Sequence, residues 1–331
     1  MRRLTSAEAA AAFDRLPPAQ RIATLSPAYV IADARRAEGL EPCFVGTDGP
    51  DGVWLHGGHL CAIDGTDMVD FQSPYGYGGP LSDGNDTAWL AARAQDYDRW
   101  CRDNHILVEF VRLHPMMAAQ LPYPGTATPD RECVHIALDL ADIRERYETR
   151  ARTAIRKAEK SGVIVEQAPV EAIVTRFAEF YRDGMQLIGA SAFYLFNDAY
   201  FEALAEIPGV TLLVASLDGE WLAASLFFRG PRVWEYHLSA STAQGRKLCA
   251  ANLVIDRAAH TAAQVGATSL FLGGGTNRAP DNPLLFFKAG FSPARVPFRI
   301  GSWAHMPDVY ARMRADRAHE ATRERVLFYR S

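Results

Sequence analysis

Apolar and polar positions in the first third of the chain fall into short runs separated by turn residues. EPCFVGTD (41–48), GVWLHGGHLCAI (52–63) and DMVDFQS (67–73) are rich in aromatic and β-branched residues and are bounded by Gly and Asp, so they read as three strands. A glycine-rich loop follows, SPYGYGGPLSDG (73–84), with four glycines, two prolines and two tyrosines in twelve residues. Beyond it Leu90, Ala94, Tyr97 and Cys101 recur at helical spacing, with Asn85 or Asp86 as the N-cap. HILVEFVRLHP (105–115) is a near-continuous apolar run, the pattern of a strand buried on both faces.

The second half repeats the plan. GVTLLVASLDGEWLAASLFFRGPRVWEYHLSAS (209–241) predicts three strands with short turns, Asp218-Gly219 being a hairpin signal. The loop STAQGRKLCA (241–250) leads into a helix with Val254, Ala258, Ala262 and Val265 on one face, and ATSLFLGGGTN (267–277) is again a buried strand. Each half therefore reads β-β-β, loop, helix, β. The repeat is one of pattern, without residue identity, and it suggests domains at 1–148 and 149–331. Helices are also expected at VEAIVTRFAEFYRDGMQLIG, around NDAYFEALAEI, and from Pro307 onward, where arginines are frequent.

Composition narrows the function classes. A chain of 331 residues is long for one core and suits two domains of about 150 residues. With 48% hydrophobic and 22% charged residues it has a globular composition, and a net charge of −4 argues against a generally cationic nucleic-acid binder. No apolar run is long enough for a membrane span, and the amino terminus lacks a signal-peptide core, so the cytoplasm is the expected compartment. Five dispersed cysteines without a C-x-x-C pair suggest neither a disulfide scaffold nor a zinc site, and His56 and His59 have no sequence neighbours at ligand spacing.

Three motifs carry a resemblance: ARTAIRKAEKSGVIVE (151–166), the SPYGYGGPL loop, and LGGGTNRAPDNPLLFFKAGF (272–291). In this order and spacing the chain resembles the GNAT acyltransferase fold in tandem, as in FemAB-like aminoacyl transferases. The resemblance implies an α/β (α+β) architecture of two GNAT-like domains, each a mixed sheet flanked by helices. The first would serve the acceptor side and the second the acyl donor. It implies transfer of an acyl or aminoacyl group to a substrate amine by direct attack, with no tightly bound cofactor, no metal and no covalent enzyme intermediate. Acyl-coenzyme A or aminoacyl-tRNA would be the co-substrate, and a small-molecule, sugar or peptide amine the acceptor.

Residues are assigned within that frame. Lys288, in the apolar segment LLFFKAGF, is either a lysine snorkelling to water or one aimed into a cleft. The resemblance places a lysine there to stabilise the developing oxyanion. Asp281 is a candidate to position the incoming ammonium, or else a turn residue before Pro283. Glu235 and His237 alternate along one strand and are candidate general bases, or else a satisfied polar pair on a sheet face. Gly273, Gly274, Gly275 and Asn277 would line the substrate where the strand ends, a bulge being the plainer alternative.

The resemblance further implies a donor-phosphate loop at Gln244, Gly245, Arg246 and Lys247, built on backbone N–H groups and a helix N-terminus. Coenzyme A users show Q/R-x-x-G-x-G/A at that place, and here Lys247 stands for a glycine. In the first half Tyr75, Gly76, Tyr77, Gly78 and Gly79 occupy the matching position and are expected to line the acceptor, or else only to turn the chain. Arg152 and Arg156, at i and i+4 in the densest basic cluster, would meet phosphates, tRNA included, or else form a solvated helix face. A different class of function is also open: a non-catalytic protein of the same fold that binds a sugar-nucleotide or peptidyl precursor.

Overall fold

In the computed structural model the described residues are 1–49, 52–84, 86–117, 121–139, 141–279, 281–319 and 322–330. In chain order the elements are β1 (Arg2–Leu4), α1 (Ser6–Arg15), α2 (Pro27–Ala34), β2 (Glu41–Gly49), β3 (Gly52–Ala62), β4 (Val69–Gln72), β5 (Leu81–Ser82), α3 (Thr87–Asp103) and β6 (Ile106–Leu113). Next come β7 (Thr126–Ala137), α4 (Thr149–Lys160), β8 (Ile164–Ala168), α5 (Ala178–Leu187), α6 (Asp198–Ala205), β9 (Val210–Leu217), β10 (Glu220–Arg229) and β11 (Val233–Ser241). The last are α7 (Ala243–Lys247), α8 (Ala250–Gln264), β12 (Ser269–Gly274), α9 (Pro283–Ala289), β13 (Arg295–Ala304) and α10 (Pro307–Arg317).

Local signals place most of these boundaries. Thr5 and Glu8 form a capping box at α1, and the side chain of Asp86 accepts the Trp89 amide to start α3. Asn85, the other cap candidate, lies outside the described residues. Asp218 and Gly219 both have left-handed backbone, φ 51° and 84°, as a tight hairpin between β9 and β10 requires. Val254, Ala258 and Ala262 are buried as expected, but Val265 is exposed because α8 ends at Gln264. The long helix expected before residue 188 instead begins with a π-helical turn, Ile173–Phe177, before α5.

The chain forms two compact units, Met1–Asp130 with Phe298–Ser331, and Arg131–Pro297. The first has the sheet order β1-β2-β3-β4-β6-β13, with β5 beside β3, β4–β6 parallel and its other pairings antiparallel. The second runs β7-β12-β11-β10-β9-β8, with β11–β12 parallel. Both contain the β-β-β, helix, β plan read from the sequence: β2-β3-β4-α3-β6 and β9-β10-β11-α8-β12.

The boundary differs from the expected 148/149. Strand β7 follows β6 in sequence, yet its residues Cys133–Ala137 pair with β12 in the second unit. Strand β13 follows the second unit, yet Arg299–Ala304 pair with β6 in the first. Each sheet thus takes its last strand from beyond the sequence repeat. The second unit's core joins Ile155 and Ala158 of α4 to Val254 and Ala258 of α8, with Trp234 and Leu270 from the sheet.

Candidate active site

In the second unit β11 and β12 begin as paired parallel strands and then separate. Pairing runs through Val233–Ser269, Trp234–Leu270 and Glu235–Phe271, and goes no further although β11 continues to Ser241 and β12 to Gly274. β12 meanwhile stays bonded on its other side, with Gly273 opposite Val134 and Gly274 opposite Cys133. A wedge therefore opens in which the facing backbone groups of the two strands do not pair with each other. Such groups accept or donate to a ligand lying between them.

Helix α9 brings Lys288 to the end of this wedge. Its Nζ donates to the Gly274 carbonyl at 2.8 Å and lies 5.7 Å from the Tyr236 ring centroid. The side chain is 7% exposed, and burial pulls its pKa from 10.5 down to about 8, so the ammonium form prevails at neutral pH. An ammonium has three donors, and among the described residues one of them is used. This lysine is buried, not snorkelling.

Asn282 and Arg131, not singled out from the sequence, hold the surrounding loop. Asn282 caps α9, accepting from the amides of Leu284 and Leu285, each at 3.1 Å, and donating to Thr276 Oγ1 at 2.8 Å and Asn277 Oδ1 at 3.0 Å. Arg131 on β7 donates to the Gly275 carbonyl at 2.9 Å. The Asn-Pro step, an N-cap before proline at the first helical position, was the available signal for Asn282. Asn277 therefore serves the loop's internal bonding, and Asp281, one residue before the cap, is exposed.

The glycines have packing reasons. A Cβ on Gly274 would stand 2.8 Å from the Glu132 carbonyl, and one on Gly275 2.5 Å from Asn282 Oδ1. Gly273 has φ +73° beside a register shift in the β12–β7 ladder, so the bulge, the plainer alternative, is present.

Glu235 and His237 are not brought to Lys288. Tyr236, near Lys288, packs with Phe227 on the face of β11 that meets the second unit's core. Glu235, its neighbour in the strand, points to the opposite face. His237 is the extra residue of a bulge, since the β10–β11 register jumps from Leu226–Leu238 to Phe227–Tyr236. Its ring lies 4.7 Å from Phe228 and its Nε2 is 3.0 Å from the Tyr200 hydroxyl. Burial lowers the His237 pKa to about 3, which makes the imidazole a weak proton acceptor.

The expected donor-phosphate loop forms a short helix. Gln244, Arg246 and Lys247 lie in the short helix α7, where Thr242 Oγ1 takes the Gly245 amide at 2.9 Å and the Thr242 carbonyl takes that of Arg246 at 3.0 Å. Gly245 is buried, and a Cβ there would collide with the backbone of Leu222 on β10. Close packing of α7 on the sheet, rather than approach of a ligand, explains this glycine.

Much of the basic cluster is spent within the fold. Arg144 grips Asp256 through Nε and Nη2, and Arg150 bonds Glu148 at 2.7 Å. Arg152 turns back onto the Tyr147 carbonyl and Thr149, while Arg156 is exposed. In the carboxy-terminal segment, α10 stops at Arg317, Arg314 bonds the Arg325 carbonyl, and Arg330 pairs with Asp70 at 2.6 Å.

In the first unit the glycine-rich loop packs onto β6. The Gly78 amide donates to the Arg112 carbonyl at 2.8 Å, and a Cβ on Gly78 would stand 2.6 Å from Ser73 Cβ. Tyr77 packs edge-on against His114 and Phe298, so it faces inward. The Tyr75 amide donates to buried Asp33 at 3.0 Å, and Gly76 runs close to the Tyr29 hydroxyl. Gly78 and Gly79 also border a cavity within this unit.

His56 and His59 do gain carboxylate neighbours through the fold. His56 Nε2 lies 3.4 Å from Glu109, and His59 Nδ1 lies 3.8 Å from Asp33. Glu109 is fully buried, accepts the hydroxyls of Tyr97 and Tyr123, and has His305 Nε2 at 4.0 Å. Burial pushes its pKa up, but His56, His305 and Tyr123 outweigh that, and the net shift is downward. Among the described residues no three metal-ligating side chains are grouped to hold an ion, and no helix is long and apolar enough to cross a membrane.

Residues 145–279 match the family described as acetyltransferase (GNAT) domain. No curated protein matches the chain at a significant level. Among solved structures, FemX aligns with TM-score 0.72 at 13% identity, over 95% of this chain and 100% of FemX. A conserved protein of unknown function from Bacteroides thetaiotaomicron aligns with TM-score 0.61 at 11% identity, over 91% and 98%. The carboxy-terminal domain of a putative lysylphosphatidylglycerol synthetase from Agrobacterium fabrum aligns with TM-score 0.55 at 12% identity, over 93% and 97%. The protein therefore has the fold of FemX, and residues 145–279, in its second unit, match the acetyltransferase (GNAT) domain family.

Proposed function

We propose that the protein transfers an activated acyl or aminoacyl group to a substrate amine. The amine nitrogen attacks the donor carbonyl, and the C–N bond forms as the C–S bond of a thioester or the C–O bond of an ester breaks. The proton lost by nitrogen leaves with the departing thiolate or alkoxide. The supporting observation is the wedge between β11 and β12 with the buried Lys288 ammonium held at its end by the Gly274 carbonyl. A positive charge shielded from water is suited to a carbonyl oxygen that becomes an oxyanion. Neither Glu235 nor His237 shares that face, so the reading assigns no general base to this chain. Acyl-coenzyme A and aminoacyl-tRNA are both admitted as donors.

The test compares thermal protection by acetyl-coenzyme A and by aminoacyl-tRNA, followed by turnover with a panel of small-molecule, sugar and peptide amines. A donor at about 100 times its Kd stabilises the fold by about 2.7 kcal/mol. Acyl transfer that Lys288→Met abolishes, with donor protection retained, supports the reading. Protection by a sugar nucleotide, with none by either donor, would instead favour a non-catalytic binding protein.

A further inference from the structure

A cavity of about 240 Å³ opens within the first unit, beneath the glycine-rich loop. Leu25, Pro80, Leu113 and Met117 give it apolar walls, and Arg299, Tyr123 and His114 supply polar groups. Arg299 stands on β13 opposite Leu113 of β6. Its Nε is buried without a hydrogen-bond partner, and among the described residues its guanidinium has no acidic side chain or carbonyl to hold. This sets it apart from Arg144, Arg150, Arg314 and Arg330, each anchored to a carboxylate or carbonyl. A buried donor left without an acceptor is costly, and an arginine fork is matched by a planar carboxylate.

Tyr123 lies close by, its ring against Gly301 two residues along β13 from Arg299. The Tyr123 hydroxyl donates to Glu109, so its oxygen is left to the cavity as an acceptor, with an acidic group behind it. The Glu109 carboxylate behind Tyr123 disfavours a second negative charge on the ligand. We propose that the cavity binds a small monocarboxylate with an apolar body, its carboxylate paired with Arg299 and its aliphatic part against Leu25, Leu113 and Met117. The site lies in the first unit and stands independently of the chemistry proposed for the second.

The experiment follows the Arg299 Nε–H resonance of the full-length ¹⁵N-labelled protein during titration with 4-methylpentanoate, its neutral amide 4-methylpentanamide, and inorganic phosphate. The carboxylate should shift the resonance saturably. The amide and phosphate should bind at least about tenfold more weakly, the former lacking the charge-assisted bond and the latter the apolar body. Arg299→Gln should erase the preference for acid over amide, followed on the methyl resonances of Leu25 and Leu113, and Arg299→Lys should keep a reduced one. The comparison of acid with amide on the unaltered protein needs no variant to fold. Equal binding of acid and amide overturns the proposal. So does phosphate binding as tightly as the carboxylate, or the absence of a saturable shift at tens of millimolar carboxylate.

Discussion

Lys288 Nζ and the Gly274 carbonyl, 2.8 Å apart, tie helix α9 to the last residue of β12 where that strand has already parted from β11. One bond thereby fixes both the loop and the charge. Lys288→Met retains most of the side chain's volume but removes the ammonium, and acyl transfer should fall by about 10²–10³, the range for losing one oxyanion donor. Steady-state kinetics on a variant with unchanged circular dichroism checks this. Activity within tenfold of the parent would remove Lys288 from the mechanism.

The same lysine predicts a pH signature. Its pKa is about 8 in the fold against 10.5 for the free group, so between these values the unfolded chain binds a proton that the folded chain does not. Stability should therefore rise with pH across that window, by up to roughly 3 kcal/mol. Activity should do the reverse and decline above about pH 8 as the ammonium is lost. Urea titrations of the parent and Lys288→Met at pH 7.5 and 10 isolate the effect, which should be missing from the variant. A parent whose stability difference from the variant is constant with pH would contradict the assignment.

His237 should be dispensable for chemistry. Its pKa of about 3 and its contact with Tyr200 describe a neutral imidazole serving the bulge of β11. His237→Gln should lower stability by about 1 kcal/mol through the altered hydrogen bond while leaving kcat within a few-fold. The pH profile should show no limb near 6.5 that vanishes in the variant. A loss of several hundred-fold in a folded His237→Gln protein would restore the histidine as a catalytic candidate.

Gly245→Ala tests why the loop before α8 contains a glycine. The added methyl meets the Leu222 backbone, so α7 must move off β10. Overpacking of this kind costs about 1–3 kcal/mol. A phosphate-binding glycine would instead weaken donor binding with little change in melting temperature. Thermal denaturation and donor affinity measured on the same variant distinguish the two, and a fully stable Gly245→Ala protein would refute the packing explanation.

What was legible in the sequence follows from range. The strands of β2-β3-β4 and β9-β10-β11, the buried runs of β6 and β12, and the cap at Asp86 are encoded within ten or so neighbouring residues, where period and turn chemistry operate. The exchange of β7 and β13 is encoded only in pairing between distant segments, and both strands lack a strong alternating pattern. Lys288 stood out because a charge in LLFFKAGF breaks an apolar run. Glu235 and His237 looked like partners because alternation puts them on one face, but no local rule relates that face to α9. Gly245 read as a ligand loop because a glycine looks the same whether a phosphate or the Leu222 carbonyl occupies the missing Cβ position.

Glu109 was hidden for the same reason, inside the strand HILVEFVRLHP, and it supports the last prediction. It is the acceptor for Tyr97 and Tyr123 and the negative neighbour of His56 and His305, all on segments distant in sequence or on a facing helix. Glu109→Ala would leave the Tyr97 and Tyr123 hydroxyls without their acceptor and remove the negative neighbour of His56 and His305, and breaking such a network costs about 3–5 kcal/mol. Glu109→Gln, which keeps an acceptor but not the charge, should cost less. Because the folded pKa lies below 4.5, the stabilisation is complete above that pH and is lost as pH falls through the folded value. Chemical denaturation of parent and Glu109→Gln from pH 7 to pH 3 should show their stabilities converging at the acid end. Curves that stay parallel would mean that the charge on Glu109 contributes nothing, and the first unit's centre would then be held by packing alone.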